Sequence, residues 1–297
     1  MCLGDECDEG RRAFLTAATA AVVGLGASGA VTGQASSSSP AVDAVTRVLD
    51  DPSITHGSVM LQHQRKDLIG GYLARPKAEG KYSAVIVIAG NVISEEYIPN
   101  TCAALAVAGF VGLAPNIFHP PIGSPQKLDT ARDDYAGHSD NDAIIDINIG
   151  IDYLRRQPFV RQIGEMPFAR LDGLGVVGFC YGGRLALLFG SRSADVDAVV
   201  AYHPGPFHVE EMKHLRGPVL IHQGTSDHSL PEGQTADLIK KLKARKIPTE
   251  AYWYAGADHG FLAYTRPTYK PDAAKLSWER SIAFLRKNLN ARDARNV

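Results

Sequence analysis

Apolar residues come in short, unbroken runs separated by longer amphipathic stretches, and this alternation sets the expected architecture. Between 57 and 74 the residues alternate as two antiparallel strands, with Gln64-Arg65-Lys66-Asp67 as their turn. Ala84-Val-Ile-Val-Ile88 has no polar face at all, the pattern of a central parallel strand covered on both sides. A helix over 101–108 stopped by Gly109 follows, and then a buried strand over 110–114 ended by Pro115. Residues 116–142 are rich in Pro, Gly, His and Asp and lack strong periodicity; they predict an excursion above the sheet with a short helix around 128–135. From Ala143 onward, Ala143, Ile147, Ile151 and Leu154 form one helical stripe that reads as core, with Asp142, Asp146 and Arg155 largely off it, in a helix ending before Pro158.

The second half repeats the alternation. Strands are expected over 174–177, 196–202, 218–223 and 250–254, with helices around 185–189, over 236–246 and over 273–289. The basic face of the 236–246 helix reads as solvated. No internal repeat or second domain is visible. The expectation is a single α/β domain with a mostly parallel central sheet flanked by helices on both faces.

Composition narrows the function. At 297 residues, 45% hydrophobic and 21% charged, the chain can bury one substantial core. Its net charge of -1, with no dense Lys/Arg run, disfavours nucleic acid and anionic membrane as partners and leaves a small molecule. Oligomeric state is not legible. Residues 1–40 read as a signal and linker: Arg11-Arg12-Ala13-Phe14-Leu15 leads into an Ala/Gly-rich apolar run too short to span a membrane stably, and a polar Ser-rich stretch follows. Paired arginines before Phe-Leu resemble a twin-arginine export signal, which implies a folded domain over 41–297 in the periplasm or secreted. Of the four cysteines, Cys2 and Cys7 fall in the signal, so the mature chain keeps Cys102 and Cys180 and no disulfide framework is readable.

The candidate chemistry lies at strand ends. Gly178-Phe-Cys-Tyr-Gly-Gly183 has the form G-x-C-x-G, in which a strand ends, the chain turns through a nucleophile and a helix begins beside it. A buried cysteine in a glycine-rich turn would give the same hexapeptide. Two further strand ends carry Asp227, in Gly224-Thr-Ser-Asp227, and His259, in Gly256-Ala-Asp-His-Gly260. Nucleophile, acid, histidine is the chain order of α/β-hydrolase triads. A thiol near pH 7 is mostly protonated, so Cys180 needs a base such as His259, and Asp227 would orient that imidazole. The oxyanion donors expected of this arrangement are the backbone N–H of Tyr181 and one from the loop after the first central strand, Gly90 or Asn91, with Asn91 taken as the donor. Six histidines lie in this half, at 203, 208, 214, 222, 228 and 259, but no H-E-x-x-H or C-x-x-C set accompanies them, so neither metal nor cofactor is expected.

Together with Gly224-Thr-Ser-Asp-His-Ser-Leu-Pro231, Ala257-Asp-His-Gly-Phe261 and the Trp278-Glu-Arg-Ser-Ile-Ala-Phe-Leu285 ending, the elbow resembles the dienelactone hydrolases, also called carboxymethylenebutenolidases, over about 57–289. The resemblance implies an α/β-hydrolase fold and a cofactor-free Cys180–Asp227–His259 triad that opens an enol lactone through a thioester. A binding or scavenging protein on the same fold, or another hydrolytic chemistry such as carbon–halogen cleavage, would keep much of this pattern. One position departs from the family. Its His-Glu after the first central strand, whose glutamate takes part in activating the cysteine, is replaced by Ala89 and Gly90. Either Cys180 pairs directly with His259, or Glu95 or Glu96 reaches back. The family's substrate arginine falls near Ala263, with Arg266 close by and Arg132 and Tyr135 as candidate substitutes.

Overall fold

In a computed structural model of the protein, the described residues are 47–62, 68–90, 96–118, 139–165, 169–205, 209–230 and 233–289. The expected signal and linker over 1–40, the short helix at 128–135, and Asn91, Glu95, Arg132 and Tyr135 lie outside the described residues. The chain runs β1 (Ile54–Gln62), β2 (Leu68–Pro76), β3 (Ala84–Ile88), α1 (Tyr97–Val107), β4 (Val111–Pro115) and α2 (Asp140–Arg155). A two-residue pair follows, β5 (Gln162–Ile163) with β6 (Arg170–Leu171). Then come β7 (Leu174–Phe179), α3 (Tyr181–Arg192), β8 (Val196–Tyr202), a 3-10 turn (Val209–Met212), β9 (Val219–Gly224), α4 (Gln234–Ala244), β10 (Thr249–Tyr254) and α5 (Pro271–Leu289).

Eight strands form one sheet in the order β1-β2-β4-β3-β7-β8-β9-β10. β2 is antiparallel to β1 and β4, and every pair from β4 to β10 is parallel. All residues of β3, β4, β7 and β9 are buried. Since successive side chains point to opposite faces, a wholly buried strand must be covered on both. The packing agrees: a Cβ on Gly175 of β7 would touch Leu285 and Leu289 of α5 and Val85 of β3, whereas Gly150 of α2 lies against Ile86, the next residue of β3. Helices α5 and α2 therefore cover opposite faces. Among the described residues, no helix is long and apolar enough to cross a membrane.

The strand order locates the crevice. From β3 the chain crosses to β4 on one side, and from β7 it crosses to β8 on the other. The carboxyl ends of adjacent β3 and β7 thus open onto a point where the winding reverses, the usual ligand crevice of open α/β sheets.

Local chemistry explains where the elements depart from expectation. Helix α1 starts at Tyr97, four residues earlier than the pattern suggests, because Pro99 sits in its first turn, where no intrahelical partner for an N–H is lost. Helix α2 starts at Asp140 behind a reciprocal cap: Ser139 Oγ accepts the Asp142 N–H at 3.2 Å, and Asp142 Oδ2 accepts the Ser139 N–H at 3.1 Å. Its predicted stripe of Ala143, Ile147, Ile151 and Leu154 is buried. Asp146 is buried too, contrary to its expected place off the stripe, because it lies only about 60° around the helix from Ala143.

Beneath the site-bearing strand ends runs a buried polar network with one consistent set of protons. Ser281 of α5 gives its only proton to the Ser277 carbonyl (3.0 Å), so its Oγ accepts from Tyr202 Oη (2.8 Å) and from His222 Nε2 (2.9 Å). His222 Nδ1 then accepts from Tyr254 Oη (2.8 Å), which accepts in turn from Arg280 (3.2 Å). His222 has 0% exposure; burial and the Arg280 charge hold its pKa far below the ordinary value. It is a satisfied core histidine.

Candidate active site

Cys180 terminates β7 and caps α3 with φ 56° and ψ -120°, a conformation that costs a non-glycine residue about 1–3 kcal/mol. Hydrogen bonds hold it there. Its N–H donates to the Tyr202 carbonyl (3.0 Å), and its carbonyl accepts from the N–H groups of Gly205 (2.8 Å) and Arg184 (3.1 Å). The turn is possible only because Gly182 has no side chain; a Cβ there would lie 2.2 Å from the Ile88 carbonyl oxygen.

Asp227, in the loop after β9, and His259, after β10, are brought together with Cys180. His259 Nδ1 is 3.0 Å from Asp227 Oδ2, and its ring lies close enough to Cys180 to act on the thiol. With Nδ1 on the acid side, Nε2 is left for the sulfur. The Asp227 carboxylate has no exposed surface and four donors around it: His259 Nδ1 and Gln223 Nε2 (3.0 Å) on Oδ2, and the Ser229 N–H (3.0 Å) and Oγ–H (2.5 Å) on Oδ1. Burial works to raise its pKa, but the hydrogen bonds from His259 and Ser229 dominate and hold it well below the usual carboxylate range.

The same balance sets the other two groups. Burial lowers the His259 pKa, while Asp227 and then Cys180 raise it further, to about 9. Burial raises that of Cys180, but the hydrogen bond and charge of His259, the Tyr181 N–H and the Arg266 charge bring it below an ordinary thiol. Each shift favours the charged form of its group, thiolate for Cys180 and imidazolium for His259. The Tyr181 N–H, expected as an oxyanion donor, points at the sulfur side of the elbow. Its expected companion Asn91 lies outside the described residues.

Gly90 packs directly on the elbow. A Cβ there would sit 2.6 Å from the Phe179 carbonyl oxygen and 2.7 Å from Cys180 Cβ, so no side chain fits. Nor does Glu96 reach back in its place, because its Oε1 is engaged by Tyr264 Oη (2.8 Å) and Arg47 Nε (3.0 Å). Glu95 lies outside the described residues, and among the described side chains it is His259 that acts on the Cys180 thiol. Arg266 is close enough to act on Cys180 electrostatically, and it also lies over the Tyr97 ring at 5.6 Å.

Two contributors, His203 and Ser229, carry no distinctive sequence signal. His203, at φ 35° and 3% exposed, accepts the Cys180 N–H at Nδ1 (3.2 Å) and lies 4.3 Å from the His259 ring. Burial and the His259 charge push its pKa down to about 3, so it is a neutral wall. Ser229 bridges acid and histidine. Tyr181 is tied down at its far end, its Oη donating to Asp140 (3.0 Å), which also takes a two-point pair from Arg184 (2.7 and 2.6 Å). Among the described residues there is no group of three or more side chains able to hold a metal ion.

Known proteins of similar sequence and structure agree on the class. The model of the dienelactone hydrolase family matches residues 69–289. A Bradyrhizobium protein named "Probable 2-oxo-3-(5-oxofuran-2-ylidene)propanoate lactonase" is 29% identical over 233 residues, 73% of this chain and 89% of the relative. A Synechocystis protein assigned as a carboxymethylenebutenolidase is 26% identical over 228 residues, 71% of this chain and 89% of its own. Among solved structures, a Klebsiella pneumoniae protein assigned as a dienelactone hydrolase superposes with a TM-score of 0.67 at 25% identity, covering 78% of this chain and 98% of that one.

Proposed function

The chain belongs to the dienelactone hydrolase family of α/β-hydrolases and is a lactone or ester hydrolase, and on that premise we propose that it works through Cys180, His259 and Asp227 and a thioester intermediate. The observation that carries the reading is His259 held between Asp227, at 3.0 Å, and the thiol of a strained elbow cysteine. The Cys180 thiolate attacks the carbonyl carbon, and the oxyanion is held by the Tyr181 and Asn91 N–H groups. Collapse breaks the acyl–oxygen bond; the leaving oxygen takes the His259 Nε2 proton, and the acyl group stays on sulfur. Water then gives a proton to His259, attacks the thioester and releases the acid and the Cys180 thiolate. No step needs a metal or cofactor. In this reading His259 activates Cys180 directly, without the glutamate that the family carries; the support is the effect of His259 on the thiol.

Incubation with an aryl ester or an enol lactone, read by intact mass and product release, tests this. The expected result is one acyl group on Cys180 together with turnover; a stoichiometric adduct without turnover would favour the binding-protein reading. The rate of acylation should be bell-shaped in pH. On the acid side it falls as the thiolate is protonated, below the pH of an ordinary thiol, and on the alkaline side it falls near pH 9, where His259 loses the proton the leaving oxygen needs.

We also propose that the chain is exported by a twin-arginine-type signal, a reading supported by Arg11-Arg12 before the short apolar run. Fractionation should find a shortened protein in the periplasm or medium. Uncleaved protein confined to the cytosol would refute it.

A further inference from the structure

Asp227 and His259 are not alone at their contact. The Ser229 hydroxyl lies between them, 2.5 Å from Asp227 Oδ1 and 2.8 Å from His259 Nδ1. A hydroxyl has one proton to give and lone pairs to accept with. The short contact to an ionised carboxylate takes that proton, so toward the imidazole Ser229 Oγ is an acceptor. His259 Nδ1 therefore faces two acceptors, Asp227 Oδ2 at 3.0 Å and Ser229 Oγ at 2.8 Å.

We propose, resting on the triad reading above, that Ser229 is a positioning residue that fixes one His259 proton at Nδ1, so that Nε2 is the nitrogen that gives its proton to the leaving oxygen and is left bare to take the next one from water. The argument is one of tautomers. In neutral imidazole one nitrogen donates and the other accepts. With the proton on Nε2, the Nδ1 lone pair would point at two oxygens with no proton between them. With the proton on Nδ1, both oxygens are satisfied and the Nε2 lone pair faces the sulfur. Asp227 alone would impose the same preference, and Ser229 adds a second, shorter contact on the solvent side, where Ser229 itself is exposed.

Ser229 also braces the acid. Its backbone N–H and its hydroxyl both bond Asp227 Oδ1, leaving Oδ2 to Gln223 and His259. The carboxylate is thus held at both oxygens and cannot rotate away from the imidazole. The backbone contact survives substitution of the side chain, so Ser229→Ala removes the bridge and leaves the loop anchored.

Ser229→Ala is expected to lower kcat about 10-fold with KM within twofold, and Ser229→Thr, which keeps the hydroxyl, should retain most of the rate. The decisive measurement does not depend on turnover. In the Cys180→Ala background, NMR of the His259 ring nitrogens should show the Nδ1–H tautomer dominant, and adding Ser229→Ala should shift population toward Nε2–H and move the titration to lower pH. An unchanged tautomer ratio and titration on removing the hydroxyl would overturn the proposal, as would a Ser229→Thr variant as impaired as Ser229→Ala. Should Cys180→Ala itself keep activity, the triad reading fails, while the ring-nitrogen measurement still decides whether Ser229 sets the tautomer.

Discussion

Cys180→Ala is expected to lower kcat/KM toward aryl esters and enol lactones by at least about a thousandfold, with the fold intact. The size follows from what is lost. Without sulfur there is no acyl acceptor, and the remaining machinery, the Tyr181 N–H and the neighbouring charges, can only stabilise direct attack by water. The elbow should survive, because its geometry is held by backbone bonds to Tyr202, Gly205 and Arg184 and not by the thiol. Thermal unfolding of the variant should therefore stay near that of the parent, which separates loss of chemistry from loss of structure. Cys180→Ser is the informative companion. A hydroxyl is far harder to ionise, so the charge pair with His259 cannot form, and the variant should be slow even though its oxygen still faces the base. Full activity in Cys180→Ala would sink the thioester mechanism.

Gly90→Ala is the second large effect, and it runs against what the family comparison invites. Restoring a side chain at the position where the family carries glutamate should damage the enzyme. The added Cβ would meet the Phe179 carbonyl oxygen at 2.6 Å and Cys180 Cβ at 2.7 Å. Neither atom can swing aside, since one is backbone and the other is fixed by the strained elbow. Overpacking of this kind costs about 3 kcal/mol, a fall in Tm of about 10 °C for a domain of this size. Relief can come only by moving β7 and its nucleophile. A displacement of a fraction of an ångström there should cut activity about 100-fold, and Gly90→Glu should be no better. Differential scanning calorimetry with steady-state kinetics checks both. A Gly90→Glu variant more active than the parent would mean that direct Cys180–His259 pairing is not the working arrangement.

How much of this was legible in the sequence depended on how local each determinant is. The runs at 84–88 and 196–202 coincide with β3 and β8: in β3 a strand buried on both faces leaves no polar residue to blur its ends, and in β8 only the first two residues, Val196 and Asp197, are less than fully buried. The meeting of Cys180, Asp227 and His259 was legible because each residue sits at the end of a recognisable strand and the order of the three fits one known geometry. His203 and Ser229 were not. Both lie within motifs the sequence displays, His203-Pro-Gly and Asp227-His-Ser229, but their roles come from contacts across the sheet edge: an imidazole 4.3 Å from another, and a hydroxyl turned toward a ring thirty residues away in sequence. The start of α1 lies four residues before the expected 101, in a first turn that accommodates Pro99. Asp146 was misplaced because a stripe drawn through four apolar residues says nothing about how far its flanks are covered.

The network around His222 gives the site an order of assembly. Ser281, the oxygen on which Tyr202 and His222 converge, belongs to the final helix, and the His222 carbonyl receives the N–H of His203 at 2.7 Å. During synthesis the elbow cysteine emerges about a hundred residues before the serine that completes its foundation, counting from 180 to 281. Until α5 docks, Tyr202 Oη and His222 Nε2 lack the oxygen on which they converge and are left to water. The polar floor beneath the nucleophile is thus completed by the last helix of the fold.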